Sequence, residues 1–194
     1  MTTSEDWLSR FQAVFARAGA APPFDHVAVT LATTSPEGQP TARVVLLRGV
    51  DARGFVFYTN YESRKGRELE QTGRAALCAY WPWIDEQIRV DGTVERVSDE
   101  ESDRYFASRP RESQIGAWAS RQSDVLPSRD TLERRFAEME QQYAGRPVPR
   151  PPFWGGYRLR PERVEFWRAG GARLHDRVVF LREGDGWRTE ALYP

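Results

Sequence analysis

The feature that most constrains this chain is a succession of short strand-like segments separated by turn residues, the first of them alternating. Val27–Ala32 reads VAVTLA, Thr41–Leu47 reads TARVVLL and Gly54–Thr59 reads GFVFYT, and the turn Ser35-Pro36-Glu37-Gly38 separates the first two. Apolar and β-branched residues alternating between Pro- and Gly-containing turns specify a meander of antiparallel strands. Arg74–Trp81 and Glu86–Val97 extend the pattern, broken at Pro82. Gly156–Leu159, Arg163–Trp167, Arg177–Leu181 and Trp187–Leu192 resume it, with Gly184–Gly186 as a hairpin turn.

Helices interrupt the strands without alternating with them. Ser4–Arg17 carries Trp7, Phe11, Val14 and Ala18 at helical spacing, and Gly19 and Pro22-Pro23 stop it. Ser63–Gln71 and Asp99–Ala107 read as further helices. Asp130 is placed to cap another, with Glu133 completing a capping box and Leu132, Phe136, Met139 and Tyr143 on one face. Arg146–Pro152 is a proline-rich connector. The absence of βαβ alternation favours a mainly β fold, an antiparallel barrel with peripheral helices, over a doubly wound sheet. A length of 194 residues fits a single domain spanning 1–194.

Composition excludes several functions. Lys plus Arg equals Asp plus Glu at 28 each, so no net charge draws the chain to nucleic acid or a membrane. The lone Cys78 allows neither an intrachain disulfide nor a cysteine zinc cluster, and no metal site is expected. MTTSEDWLSRF has no signal-peptide core and no run is long enough to span a bilayer, so the expected location is cytoplasmic. Lys65 is the sole lysine. The arginine excess offers planar donor forks for phosphate or carboxylate, although codon bias toward Arg accounts for most of it.

No GxGxxG or Walker-type loop is present, so a phosphorylated ligand must be held largely by side chains. Arg43 and Arg48 bracket an apolar strand and face opposite ways if it is regular. They are either site residues at the strand's ends or ordinary rim residues. Tyr58-Thr59 followed by Ser63-Arg64-Lys65 joins a strand end to a helix start, where free N–H groups and the dipole attract an anion. A solvated first turn is the alternative. Tyr105, Arg109, Arg111 and Ser113 fall in YFASRPRESQIGAW, where Pro110 predicts an irregular segment presenting donors suited to a phosphate monoester, or simply a polar connector. His175 lies in EFWRAGGARLHDR with Trp167, Arg173 and Arg177, which fits acid–base work or a structural histidine kept neutral by its Arg neighbours. His26 reads as structural and Cys78 as an inert strand residue.

Taken in order, Arg43-Val-Val-Leu-Leu, Phe57-Tyr-Thr-Asn, Ser63-Arg-Lys, Ser108-Arg-Pro-Arg-Glu-Ser-Gln-Ile-Gly-Ala-Trp, Ser120-Arg-Gln-Ser, Phe153-Trp-Gly-Gly, Val164-Glu-Phe-Trp and Arg173-Leu-His-Asp-Arg resemble the pyridoxine/pyridoxamine 5′-phosphate oxidase family over nearly the whole chain. The resemblance implies an FMN-binding split β-barrel of Greek-key-like topology, assembled as a homodimer with FMN at the subunit interface. It assigns FMN contacts to Arg43, Val44, Val45, Leu46, Leu47, Tyr58, Thr59, Arg64, Lys65, Gln87, Gln122, Ser123, Trp167 and Arg177. It assigns the substrate phosphate to Arg48, Tyr105, Arg109 and Ser113, and the substrate ring to Arg173 and His175 as catalytic residues. The implied reaction oxidises a phosphorylated pyridine, pyridoxine or pyridoxamine 5′-phosphate, to pyridoxal 5′-phosphate with O2 as acceptor and H2O2 as product.

Two departures from the family pattern stand out: Arg48 replaces the usual Lys, and no match appears for an N-terminal segment with Arg and Tyr that closes over the substrate. Two other functions fit the same motifs. One is a flavin oxidase of another ring, of the phenazine-pathway type, and the other is a flavin-binding protein without oxidase activity.

Overall fold

The computed structural model describes residues 6–194. Helix α1 (Trp7–Ala20) starts at Asp6, whose carboxylate accepts from the Ser9 N–H at 2.7 Å. The expected start at Ser4 lies outside the described residues. Strands β1 (Ala28–Thr34), β2 (Pro40–Asp51) and β3 (Gly54–Asn60) form a meander. Helix α2 (Arg64–Thr72) then carries the chain to β4 (Arg74–Trp81), which returns beside β1. The spatial order 4-1-2-3 is a Greek key. Strands β5 (Glu86–Arg96) and β6 (Trp154–Arg168) follow, and β6 pairs with β3 to close a six-stranded antiparallel barrel. Strands β7 (Asp176–Glu183) and β8 (Gly186–Ala191) extend the sheet beyond β6.

The expected strands Gly156–Leu159 and Arg163–Trp167 are one fifteen-residue strand, β6. Pro161 is accommodated because the β5–β6 register shifts between Asp91 and Gly92. Gly92 permits the close approach, since a Cβ there would lie 2.0 Å from the Arg160 carbonyl oxygen.

Between β5 and β6 the chain forms α3 (Asp99–Ser108), α4 (Arg111–Ala119) and α5 (Arg129–Gln142). Pro110 does not introduce an irregular segment. It occupies the cap position of α4, where its missing N–H costs nothing. Helix α5 is capped by Ser128, which accepts from the Thr131 N–H, rather than by Asp130, and Glu133 instead pairs with Arg129 one turn away. No described helix is long and apolar enough to cross a membrane.

Two cores result. The barrel core joins Leu31, Phe55, Phe57, Trp81, Ile88, Leu159 and Val164 to Trp7, Phe11, Val14 and Ala18 of α1. A second joins Phe106 and Ile115 of α3 and α4 to Tyr143, Val148 and Trp154. This smaller core holds α3 and α4 against the barrel wall where β3 and β6 meet.

Alternation along β2 buries Val45 and Leu47 and turns Val44, Leu46 and Arg48 outward. Arg43 and Arg48 therefore face opposite ways, as expected. Val44, Thr30, Cys78, Arg89, Glu165 and Val179 are successive cross-strand partners and share the outer face. Tyr80, Gln87, Trp167 and Arg177 form the next row. Val44 is 65% exposed and Tyr80 55%, an apolar surface that a lone barrel leaves in water.

Candidate active site

Helix α2 and β3 build a cradle for an anion. Ser63 caps α2, its Oγ accepting from the Gly66 N–H at 3.2 Å. Lys65 folds back so that Nζ lies 3.1 Å from Thr59 Oγ1 and 2.9 Å from Gln122 Oε1. The Arg64 N–H donates to Ser123 Oγ at 3.1 Å. Burial, reinforced by the charge of Arg43, lowers the Lys65 ammonium to about 8. A bound anion would offset both by favouring the charged ammonium.

Glu68, one turn along α2, organises the surrounding arginines. Its Oε1 accepts from Arg64 Nε at 2.9 Å, and its Oε2 accepts from Thr33 and Thr41 hydroxyls at 2.5 and 2.7 Å, with Arg43 Nη2 at 3.3 Å. Burial alone would raise this carboxyl, but these donors together hold it down at about 2. Glu68 is thus a permanent anion that fixes two cations.

A cleft of about 670 Å³ opens beside the cradle. Its wall includes Val44, Val45 and Leu46 with Arg48 from β2, Tyr58, Thr59 and Lys65, then Tyr105, Arg109 and Ser113 from the α3–α4 corner, and Gln122. Among the described residues, three cations line it and no Asp or Glu does. Arg109 is pulled below the usual arginine range by burial, with the charge of Arg48 adding to the effect. Its Nη1 is buried and has no hydrogen-bond partner, the sole such side-chain atom among the described residues. A buried unpaired donor is costly, and an anionic oxygen in the cleft would satisfy it.

A second cleft, of about 470 Å³, is lined by Gln87, Trp167, His175 and Arg177, with Arg10 and Arg17 of α1 on its far side. His175 packs on Trp167 with ring centroids 4.7 Å apart. Its Nδ1 accepts from the Gly170 N–H at 3.2 Å, which leaves the proton of the neutral ring on Nε2. Glu165 holds Arg177 from below and also receives Arg89 and Arg163. Burial would raise the Glu165 carboxyl, but bonds from Arg163 and Arg177 outweigh it and hold it below the usual range. Arg173 is exposed on the turn leading to His175, where both Ala172 and Arg173 have positive φ (55° and 63°).

The expected residues thus fall in two clefts that share no lining residue. Arg43 and Leu47 do not line the first cleft; the Arg43 guanidinium is turned to Thr33, Thr41 and Glu68 beside the cradle. Arg64 and Ser123 sit at its margin, and Arg173 lines neither cleft. Glu68, Glu165 and Trp154 escaped the sequence reading. Glu68 stands four residues after Arg64 and was detectable as a helical ion pair. The three arginines around Glu165 come from three strands, and only Arg163 is near it in sequence.

Residues 21–143 match the family described as pyridoxamine 5′-phosphate oxidase, and residues 154–194 match the pyridoxine 5′-phosphate oxidase C-terminal dimerisation region. The pyridoxine/pyridoxamine 5′-phosphate oxidase of Myxococcus xanthus (strain DK1622) is 59% identical over 97% of this chain and 92% of its own length. PhzG from Burkholderia lata 383, solved with tetrahydrophenazine-1-carboxylic acid, superposes with a TM-score of 0.91 at 36% identity, covering 96% of this chain and 91% of that one. A pyridoxamine 5′-phosphate oxidase-related, FMN binding protein from Nostoc punctiforme PCC 73102 shares the fold, with a TM-score of 0.77 at 19% identity over 98% of this chain and 100% of that one. A match of this extent makes the chain a member of the pyridoxamine 5′-phosphate oxidase family.

Proposed function

We propose that this chain is a cytoplasmic, FMN-dependent oxidase that converts pyridoxine 5′-phosphate or pyridoxamine 5′-phosphate to pyridoxal 5′-phosphate as a homodimer. The observation that carries the reading is the partnerless Nη1 of Arg109 in a cleft that has three cations and no carboxylate. Arg48, Tyr105 and Ser113 complete a donor set suited to a phosphate monoester. Lys65, Thr59, Gln122 and the start of α2 form the second donor set, suited to the FMN phosphate. Two phosphate-sized donor sets in one cleft fit a cofactor and a substrate that each carry one.

When bound, FMN supplies the acceptor for the two electrons leaving C4′, and O2 takes them on as H2O2. The chain's own residues bind and orient. Arg48 and Arg109 anchor the substrate phosphate, and the apolar Val44–Leu46 strip excludes water from one wall. Arg173 covers the ring, and His175 offers Nε2–H to a polar group on it. Fixing the reacting rings in place removes much of the entropic barrier. The two-cleft arrangement supports the dimer: a first cleft on one protomer is completed by Gln87, Trp167, His175 and Arg177 of its partner.

The likeness to PhzG favours a second reading, a flavin oxidase of an unphosphorylated ring. Anaerobic addition of pyridoxine 5′-phosphate and, separately, pyridoxine to the yellow holoenzyme separates the two. Fast loss of flavin absorbance with the phosphate ester alone is expected. Equal rates would favour the second reading, and no bleaching with either would mean a binding protein without oxidase activity.

A further inference from the structure

We propose that Trp154 is the positioning residue for Arg109, holding the guanidinium by its π face so that the N–H donors and the full charge stay available to the substrate phosphate. This role rests on the phosphate reading of the first cleft.

Five other buried or half-buried arginines are oriented by carboxylates, whereas Arg135 donates to the Ala119 carbonyl and Arg10 lies over the Phe166 ring. Glu68 holds Arg43, and Glu165 holds Arg163 and Arg177. Asp51 and Glu101 hold Arg158, and Asp99 and Asp103 hold Arg150. Each such partner consumes donors and cancels charge. Among the described residues, Arg109 has no acidic partner. Its Cζ lies 4.6 Å from the centre of the Trp154 ring and 5.5 Å from that of Phe106. An aromatic face attracts the cation through its quadrupole, most strongly for Trp, and takes no in-plane hydrogen bond. That is the arrangement in which Nη1 can be buried and still lack an acceptor.

The platform itself is rigid. Trp154 is 7% exposed and nearly parallel to Tyr58 (5.6 Å, 12°) and Tyr105 (6.2 Å, 8°), with Phe106 edge-on at 5.1 Å. Its backbone is tied at both ends, N–H to the Pro151 carbonyl and carbonyl to Arg150 Nη1. Tyr105 therefore has two functions, offering its hydroxyl to the cleft and backing the ring that carries Arg109.

The test uses holoenzyme carrying Trp154→Leu, Trp154→Phe, Arg109→Ala, and Trp154→Leu with Arg109→Ala together. KM and kcat for pyridoxine 5′-phosphate, FMN content and Tm are measured on each. Trp154→Leu is expected to raise KM about tenfold, between the exposed and the fully desolvated cation–π pair, with kcat and FMN content within about twofold. Trp154→Phe should raise KM only about threefold, and Trp154→Leu should add little to KM once Arg109 is Ala. The proposal is overturned by an unchanged KM in Trp154→Leu, by a loss confined to kcat or FMN content, or by an equal KM increase with and without Arg109. If Trp154→Leu does not fold, Trp154→Phe decides in the same way, with a rise of about threefold expected only when Arg109 is present. An unchanged KM in Arg109→Ala would instead remove the substrate assignment itself, whatever Trp154 does.

Discussion

Arg177 is bound to Glu165 through both Nε and Nη2, at 2.9 and 2.8 Å, and both bonds converge on the single oxygen Oε1. The other oxygen receives Arg89 at 3.0 Å and Arg163 at 2.5 Å. The carboxylate is 1% exposed, so its charge is sustained by these three arginines. Glu165→Gln keeps the shape and removes the charge. We expect a stability loss of about 2 kcal/mol, below the full cost of a broken buried pair because the arginines reach solvent. We also expect weaker FMN binding, as Arg177 loses its fixed orientation. Chemical denaturation and flavin fluorescence titration of the apoprotein read the two effects, and unchanged FMN affinity would remove Glu165 from the flavin site.

With Lys65 in the proposed flavin site, FMN binding should have a pH dependence of definite sign. Its value in the ligand-free protein is about 8, and a bound phosphate raises it. Below pH 8 the ammonium is already present and affinity is flat, down to about pH 6, where the phosphate itself begins to take up a proton. Above pH 8, binding must draw a proton onto Lys65, so Kd rises by up to about tenfold per pH unit. Lys65→Arg, which stays charged, should flatten that rise. A wild-type Kd constant from pH 7 to 9.5 would contradict this.

The strands of the barrel were legible because β1, β2 and β3 are short apolar, β-branched and aromatic runs bounded by turn residues, although only β1 alternates plainly and β3 is buried on both faces. The junction within β6 was not. Pro161 reads as a break, and the compensating register shift depends on Gly92 in another strand. Site residues were legible where the chain is locally ordered, as in Thr59, Arg64 and Lys65 around one strand–helix turn. Residues that act by holding others were hidden. The roles of Glu165 and Trp154 arise from groups that meet only when β5, β6, β7 and the α3–α4 corner pack together. Pro110 misled for a local reason: it ends α3, but its fixed φ of −52° also suits the start of α4.

Gly66 lets α2 approach the β3 end closely enough to form the donor-lined cradle. A Cβ at this position would lie 2.1 Å from the Tyr61 carbonyl oxygen and 2.7 Å from that of Asn60. Gly→Ala in a helix normally gains about 1 kcal/mol, but a contact this short with backbone cannot be absorbed by a side-chain rotation. The clash should dominate, costing about 1–3 kcal/mol net and lowering Tm by roughly 2–10 °C for a chain of this size. Because α2 must move away from Thr59 and Gln122, FMN Kd should rise as well. A Gly66→Ala protein with higher Tm and unaltered flavin binding would show that the helix has room to spare.

Arg173 and Arg64 should separate catalysis from cofactor retention. Arg173 is exposed, makes no ion pair among the described residues, and sits on a turn with two consecutive positive φ values. Non-glycine residues in that region cost about 1–3 kcal/mol each, a strain consistent with a side chain held out for a ligand. Arg173→Ala should therefore leave the fold and FMN content intact and lower kcat/KM by about a hundredfold or more, the scale of a lost charged contact to the reacting ring. Arg64 donates to Glu68 at the mouth of the cradle, so Arg64→Ala should raise FMN Kd by about tenfold while flavin-saturated kcat changes little. Flavin absorbance after gel filtration and steady-state rates at saturating FMN measure both variants side by side. If Arg173→Ala sheds flavin as readily as Arg64→Ala, Arg173 belongs to the cofactor site and not to the substrate ring.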